Sequence, residues 1–331
     1  MTDRIIEVGA RPTRLKISLN QLVIEPEGQE TAHIPVSDIA TLICTSPAIT
    51  LSAAVLTTLA EHSIPVVLSG RNHLPAAMSL PLQTHNAQSE RHARQTQLTQ
   101  PERKRIWQGL VQHKIKAQGE ALYCLTGNDA GLRTLASKVR SGDPENLEAQ
   151  AARRYWPHLF GDNKFFRGSG YGGRNALLNY GYAVLRAGTT RALCAAGLHP
   201  SLGLQHHNRH DAFCLASDMM EPFRPCVDIH AALLADQFDA PDSIELTKEN
   251  KIELLQFWTR RYAWNGESRT LSDWLYHAAQ CLARVILKES KRLEIPDIKF
   301  SDIQHLRTHD LPVKTSVQTD KLKSKSHAAT A

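Results

Sequence analysis

The sequence predicts an α+β protein in which a small β-rich N-terminal domain precedes a larger all-α catalytic domain. Short Val- and Ile-rich runs punctuated by Pro, Ser and Gly fill residues 1–75, the texture changes after Pro101, and helical apolar spacing then continues to about residue 310. A chain of 331 residues is long enough to bury a substantial core.

In the first part, RLKISLNQLVIEPE reads as a hairpin turning at Asn20, and HIPVSDIATLICTS and SIPVVLSG read as further strands. Between the last two, LSAAVLTTLAEH reads as a short amphipathic helix. This β-rich part, residues 1–75, gives way at residues 76–100 to AAMSLPLQTHNAQSERHARQTQLTQ, which loses apolar periodicity and reads as a linker or crossing segment. Residues 101–311 carry helical stretches: ERKRIWQGLVQHKIKAQGEALYCLTG, AGLRTLASKVRSG, PENLEAQAARRYWPHLF, RNALLNYGYAVLRAGTTRALCAAG, VDIHAALLADQF and LSDWLYHAAQCLARVILKE. Residues 312–331 are small, polar and basic, and read as a disordered tail.

Lys and Arg outnumber Asp and Glu by 39 to 33, a net charge of +6 that favours a polyanionic partner. The six cysteines, at positions 44, 124, 194, 214, 226 and 281, form no CxxC pair and no disulfide framework, so they read as reduced thiols of a cytoplasmic protein. The charged start MTDRIIEVGARPTRLKIS lacks the apolar core of a secretory signal, and no apolar run is long enough to span a membrane.

Candidate chemistry concentrates in two places. Glu148 stands near the start of a predicted helix, with Asp143 as its expected N-cap and Pro144 at its first position. It shares helical spacing with Ala151, Ala152 and Tyr155, an apolar stripe on which a carboxylate requires a partner, and a cation is one. The run GLQHHNRHDAFCLASDMMEPFRPCVD then gathers His206, His207, His210, Asp211, Asp218, Glu221, Arg224 and Asp228. Imidazole and carboxylate donors suit Mn2+, and a Mg2+ site would lean on carboxylate, water and substrate phosphate. In a basic protein this set points to metal-assisted phosphoryl transfer on nucleic acid.

Two motifs are decoys. His206 and His210 have the spacing of a helical zinc pair, but a metalloprotease needs Glu where His207 stands. GSGYGG, residues 168–173, fits a dinucleotide fingerprint but follows KFFR and not a strand, so it reads as a loop feeding a helix. Arg91, Arg94, Arg103, Lys104, Arg105, Lys114, Lys116, Arg153, Arg154, Arg167 and Arg174 read either as solvated helix faces or, taken together, as a track for DNA phosphates.

The runs NLEAQAARRYWPHLFG, RNALLNYGYAVL and GLQHHNRHDAFCLASDMMEPFRPCVD, in that order, resemble the CRISPR-associated Cas1 integrases, the last run most closely those of type II systems. The resemblance places a metal triad on Glu148, His206 and Glu221, binding Mg2+ or Mn2+. His207 leaves the register of the histidine open by one, and the match to GLxH favours His206; Asp218 is a neighbour or water-mediated ligand. Many family members have Asp at the third place, where Glu221 lengthens the arm by one methylene. The implied activity is that of an endonuclease and integrase: 3′-hydroxyls of a short duplex prespacer attack phosphodiesters at the ends of a CRISPR repeat. The implied partners are double-stranded DNA, a second copy of the chain paired through the N-terminal domain, a Cas2 dimer flanked by two such dimers, and Cas9. A metal-dependent nuclease of the same fold working on branched DNA or in a mobile element is the second reading, and a DNA-binding scaffold with a vestigial site is the third.

Overall fold

A computed structural model describes residues 4–9, 11–70, 75–81, 85–168, 172–206, 208 and 211–300. Its N-terminal part holds β1 (Arg4–Val8), β2 (Thr13–Ser18), β3 (Gln21–Pro26), β4 (Ala32–Pro35), β5 (Ile39–Cys44), β6 (Ile49–Leu51), α1 (Ala53–Glu61), β7 (Val66–Ser69) and β8 (Pro75–Ser79). These strands form two four-stranded sheets, ordered β4-β3-β2-β6 and β1-β5-β7-β8. The β2–β3 hairpin turns at Leu19 and Asn20, both at positive φ (49° and 57°), as the sequence predicts. In the second sheet β5 runs parallel to β1 and β7 and is buried along its whole length, which is why IATLIC reads as a continuous apolar run. Leu15, Leu22, Leu42, Val55, Leu59 and Val66 make the core of this part, with α1 packed into it.

Ala40, Ile43 and Val67 belong instead to the core shared with the helices. Glu7 on β1 reinforces that junction, accepting a hydrogen bond from Tyr180 Oη at 2.5 Å and pairing with Lys251 Nζ at 2.5 Å.

The stretch expected to be a linker carries β8 and a helix, α2 (Gln88–Thr96). Helix α2 has no apolar period because its buried residue is Gln95, whose amide donates to His199 O and accepts from His199 N. Hydrogen bonds, invisible to a hydrophobicity scan, hold it in place.

Beyond it come α3 (Gln100–Thr126), α4 (Leu132–Ser137), α5 (Leu147–Phe160), α6 (Gly173–Ala195), α7 (Cys214–Met220), α8 (Arg224–Ala235), α9 (Lys248–Leu254) and α10 (Gln256–Thr259). A hairpin of β9 (Arg261–Trp264) and β10 (Glu267–Thr270) then precedes α11 (Leu271–Ile286). The hairpin corrects the all-α expectation: Asn265 and Gly266 both take positive φ, and Trp264 is folded back against the ring of Trp274. This part is therefore mostly helical. Helices α3 and α6 lie at its centre, α3 packing on α4, α5 and α8, and α6 on α7, α8 and α11. All six cysteines are free, and among the described residues no helix is long and apolar enough to cross a membrane. The tail at 312–331 lies outside the described residues.

Gly188 lets α6 meet Trp258, since a Cβ there would stand 2.0 Å from the indole. Gly188→Ala is therefore expected to destabilise the protein by about 1–3 kcal/mol through overpacking, although Ala is the better helix former. A urea midpoint equal to or above that of the wild type would refute this packing.

Candidate metal centre

Helix α5 begins three residues later than the Asp143–Pro144 reading requires. Asn146, in a left-handed conformation at φ 51°, is the N-cap and accepts from Ala149 N. Asp143 still serves the helix start from outside it, its carboxylate accepting Leu147 N at 2.9 Å and Glu148 N at 3.0 Å. Ala151 and Tyr155 are buried, so the stripe that carries Glu148 does face inward.

Glu221 opens a 3-10 turn between α7 and α8, and its side chain is only 4% exposed. One ammonium brings it together with Glu148: Lys114 Nζ, on α3, lies 2.5 Å from Glu148 Oε1 and 2.6 Å from Glu221 Oε2. Arg224 Nη2 covers the other oxygen of Glu221 at 2.9 Å. Between them Lys114 and Arg224 cover both oxygens of Glu221. Burial alone would raise the pKa of Glu221, but Arg224 and Lys114 outweigh it and hold the carboxyl below its usual range. Burial likewise opposes the charge of Lys114, and the two glutamates more than restore it, so its pKa is raised.

His206 sits on the irregular loop before α7, and Asp218 fixes it there. The fully buried Asp218 carboxylate accepts backbone N–H groups of Leu204 (2.6 Å), Gln205 (3.1 Å) and His206 (3.3 Å), and the Nδ1–H of His206 at 2.5 Å. Gly203 permits this wrap, because a Cβ would stand 2.3 Å from His206 O. With Nδ1 committed to Asp218, Nε2 is the nitrogen available for a ligand, the arrangement that orients metal-binding histidines. Asp218 raises the pKa of His206, so a metal binding there would displace a proton. Each oxygen of Asp218 accepts two of these bonds, so the residue stands as the neighbour that orients His206.

The donor set fits a divalent cation. Carboxylates of Glu148 and Glu221 already share a positive charge, and an oriented imidazole stands close enough for its charge to lower the pKa of Glu221. The three ligand atoms are not drawn together as tightly as His277, Cys281 and Glu294, whose donor atoms lie within 4.8 Å of one another.

Beneath the centre is a buried network that the sequence did not announce. Asp228 on α8 accepts from Tyr155 Oη of α5 at 3.0 Å and from Tyr182 Oη of α6, and Arg224 stacks on the Tyr182 ring at 4.5 Å. Burial raises the Asp228 carboxyl to about 7 against the two tyrosine hydrogen bonds.

The basic residues that read as a phosphate track divide. Lys114 and Arg174 are internal, Arg174 being paired with Asp162 and Asp242. Arg91 donates to Ala196 O, and Arg167 to Asn175 and Asn179. Arg94, Lys104, Arg105, Lys116, Arg153 and Arg154 are exposed. Neither decoy revives: Leu204–His206 is not helical, His207 and His210 lie outside the described residues, and no strand precedes Gly168.

A β-rich part joined to a helical part of this kind recurs in solved structures. The chain superposes on a casposase bound to integration product with a TM-score of 0.72 at 19% identity, over 93% of this chain and 96% of that one. It superposes on a chain of a Cas6-RT-Cas1–Cas2 complex with a TM-score of 0.69 at 20% identity, over 89% of this chain and 36% of that one. Residues 8–259 match the family described as CRISPR associated protein Cas1. The CRISPR-associated endonuclease Cas1 of Neisseria meningitidis serogroup C is 36% identical over 293 residues, 86% of this chain and 93% of that protein. The chain belongs to the Cas1 family.

Lys114→Met leaves two buried or half-buried carboxylates with only Arg224 as a neutralising charge. In chelator the variant is expected to lose about 3 kcal/mol of stability, with part of the loss recovered by Mg2+ or Mn2+. Equal unfolding midpoints for the variant and the wild type in chelator would refute the shared-ammonium geometry.

For Asp228 the folded pKa lies above the unfolded value, so the folded state binds the extra proton between about pH 4 and pH 7. Its contribution to stability falls as pH rises through that window. Asp228→Asn is therefore expected to gain on the wild type from pH 4 to pH 7 and to keep a constant difference above it. A difference independent of pH would show that Asp228 is ionised throughout.

Proposed function

We propose that the protein is a metal-dependent DNA integrase and endonuclease that inserts short duplex prespacers into a CRISPR array. The observation that carries the reading is the convergence of Glu148 and Glu221 on one cation, Lys114, beside a histidine oriented by a buried carboxylate. Glu148, His206 and Glu221 would hold Mg2+ or Mn2+, which when bound neutralises phosphate charge and favours in-line attack by an oxygen. The chain's own residues do the rest. Asp218 keeps the imidazole of His206 in one tautomer and one direction. Arg224 keeps Glu221 ionised despite its burial, and Lys114 neutralises the carboxylate pair until a stronger cation takes that role. Exposed Arg94, Lys104, Arg105, Arg153 and Arg154 offer charge to phosphates without reading sequence.

The assembly in this reading is a homodimer formed through the β-rich domain of residues 1–75, with residues 76–100 leading into a catalytic domain at 101–311 and a basic tail at 312–331. Two such dimers flank a Cas2 dimer on double-stranded DNA, and Cas9 is a further partner in prespacer choice. The casposase bound to integration product and the complex containing Cas1 and Cas2 support the reactants and the partner.

The test is strand transfer by the protein with its Cas2 partner, using a short duplex with free 3′-hydroxyls and a supercoiled plasmid bearing the repeat, with Mg2+ or Mn2+ or with chelator. Metal-dependent joining at repeat borders is expected, lost in His206→Ala while duplex binding is retained and weakens steeply with salt. Cutting without joining would favour a plain nuclease, and full activity of His206→Ala would remove that residue from the centre.

A further inference from the structure

The cluster on α11 is a second candidate for a metal, built from none of the residues of the centre described above. We propose that His277, Cys281 and Glu294 bind one zinc-like transition-metal ion that fastens the C-terminal segment to α11.

His277 and Cys281 are four residues apart on one face of the helix, and Glu294 returns to them from the irregular chain after it. Their donor atoms all lie within 4.8 Å of one another. Of these, His277 Nε2 and Cys281 Sγ are 3.5 Å apart. Tetrahedral zinc with bonds of about 2.3 Å to sulfur and about 2.0 Å to nitrogen sets its two ligand atoms about 3.5 Å apart, so this pair already has the required spacing. Glu294 is exposed and free to close the remaining gap. A neutral imidazole, a thiolate and a carboxylate together balance a divalent charge, and the mixture of nitrogen, sulfur and oxygen excludes Mg2+ and Ca2+ as preferred occupants.

The surroundings are those of a supported ligand set. Arg284 Nη2 donates to Cys281 Sγ at 3.0 Å and holds the sulfur in place. Trp264 and Trp274 meet the His277 ring edge-on at 5.6 Å and 5.9 Å and limit its rotation. Burial, with Arg269 and Arg284 nearby, lowers the pKa of His277 and keeps it in the neutral form that ligates. His277 also lines a cavity of about 660 Å³ together with Arg261, Arg269 and Asp273, which gives an ion a route from solvent.

The consequence lies in the chain immediately after Glu294. Ile295, Ile298 and Phe300 are buried, Asp297 stands 3.6 Å from His113 Nε2 and 3.8 Å from Lys116 Nζ, and Lys299 pairs with Glu120 at 3.2 Å. Phe300 O accepts from Cys124 Sγ at 3.0 Å. This strap therefore runs along α3, the helix that carries Lys114, and the metal would anchor its beginning.

The experiment titrates the chelator-stripped full-length protein with Co2+ and then Zn2+. One equivalent of Co2+ is expected to give the near-ultraviolet charge-transfer absorption that a thiolate ligand produces, and Zn2+ to bleach it and raise the melting midpoint by a few degrees at about a hundredfold excess over Kd. Cys281→Ser should lose the band, His206→Ala should keep it, and Glu294→Gln should weaken Zn2+ binding at least about tenfold. Glu294 is exposed, so its variant decides the matter even if Cys281→Ser fails to fold. No thiolate band in the wild type, a band that survives Cys281→Ser, or unchanged Zn2+ affinity in Glu294→Gln would each overturn the site.

Discussion

Two glutamates on different elements, one buried and one half-buried, face the same Lys114 ammonium, and the arrangement of the helical core follows from that electrostatic constraint. Two unit negative charges about 5 Å apart repel by about 3 kcal/mol at an effective dielectric constant near 20, before any desolvation cost is counted. Such a pair persists in a folded core only with a positive charge held between its members. Helix α3 supplies that charge, α5 and the turn before α8 supply the carboxylates, and α3 packs on both. Arg224 then ties Glu221 to the Tyr182 ring of α6, so the last of the central helices is drawn into the same network.

A different solution serves the histidine. Asp218 is more deeply buried than Glu221, yet no lysine or arginine is paired with it among the described residues, because four N–H donors converge on its two oxygens. Hydrogen bonds from a tightly wrapped loop replace a counter-ion. The difference is functional in its chemistry: Asp218 is saturated by N–H groups of its own loop and serves to position, whereas Glu221 is held by two mobile-ended cations, Lys114 and Arg224, of which a metal ion could replace the first.

Much of this is legible from residue order alone. The hairpin at Asn20, helix α1 and the long helices follow from turn residues and apolar period, and the inward stripe of Glu148 follows from Ala151 and Tyr155. The departures have separate physical causes. Asp143 precedes a proline and so reads as an N-cap, but the chain makes a turn in which Asn146 caps and Asp143 accepts from outside. Helix α2 escapes an apolar scan because Gln95 anchors it by hydrogen bonds. The β9–β10 hairpin does carry a signal, the Asn265–Gly266 dipeptide, between runs too short to show alternation. The division of the chain into domains and the loading of the metal centre are matters of assembly and occupancy, which neither periodicity nor the fold of one copy expresses.

Lys114 is the instructive miss, because the rule that finds Glu148 also finds it. Along α3, Leu110, Ala117, Gln118 and Ala121 stand four before and three, four and seven after Lys114, and all are buried. Lys114 thus lies on an apolar stripe, whereas Lys116, two residues on, is exposed. Counting the two together as a basic patch discards the information. A charged residue on an inward stripe requires an opposite charge from another element, and a stripe glutamate and a stripe lysine on neighbouring helices answer each other's requirement. Applied to both signs at once, the argument pairs α3 with α5 before any coordinate is known, and it separates the cations that face the core from those left for a phosphate backbone.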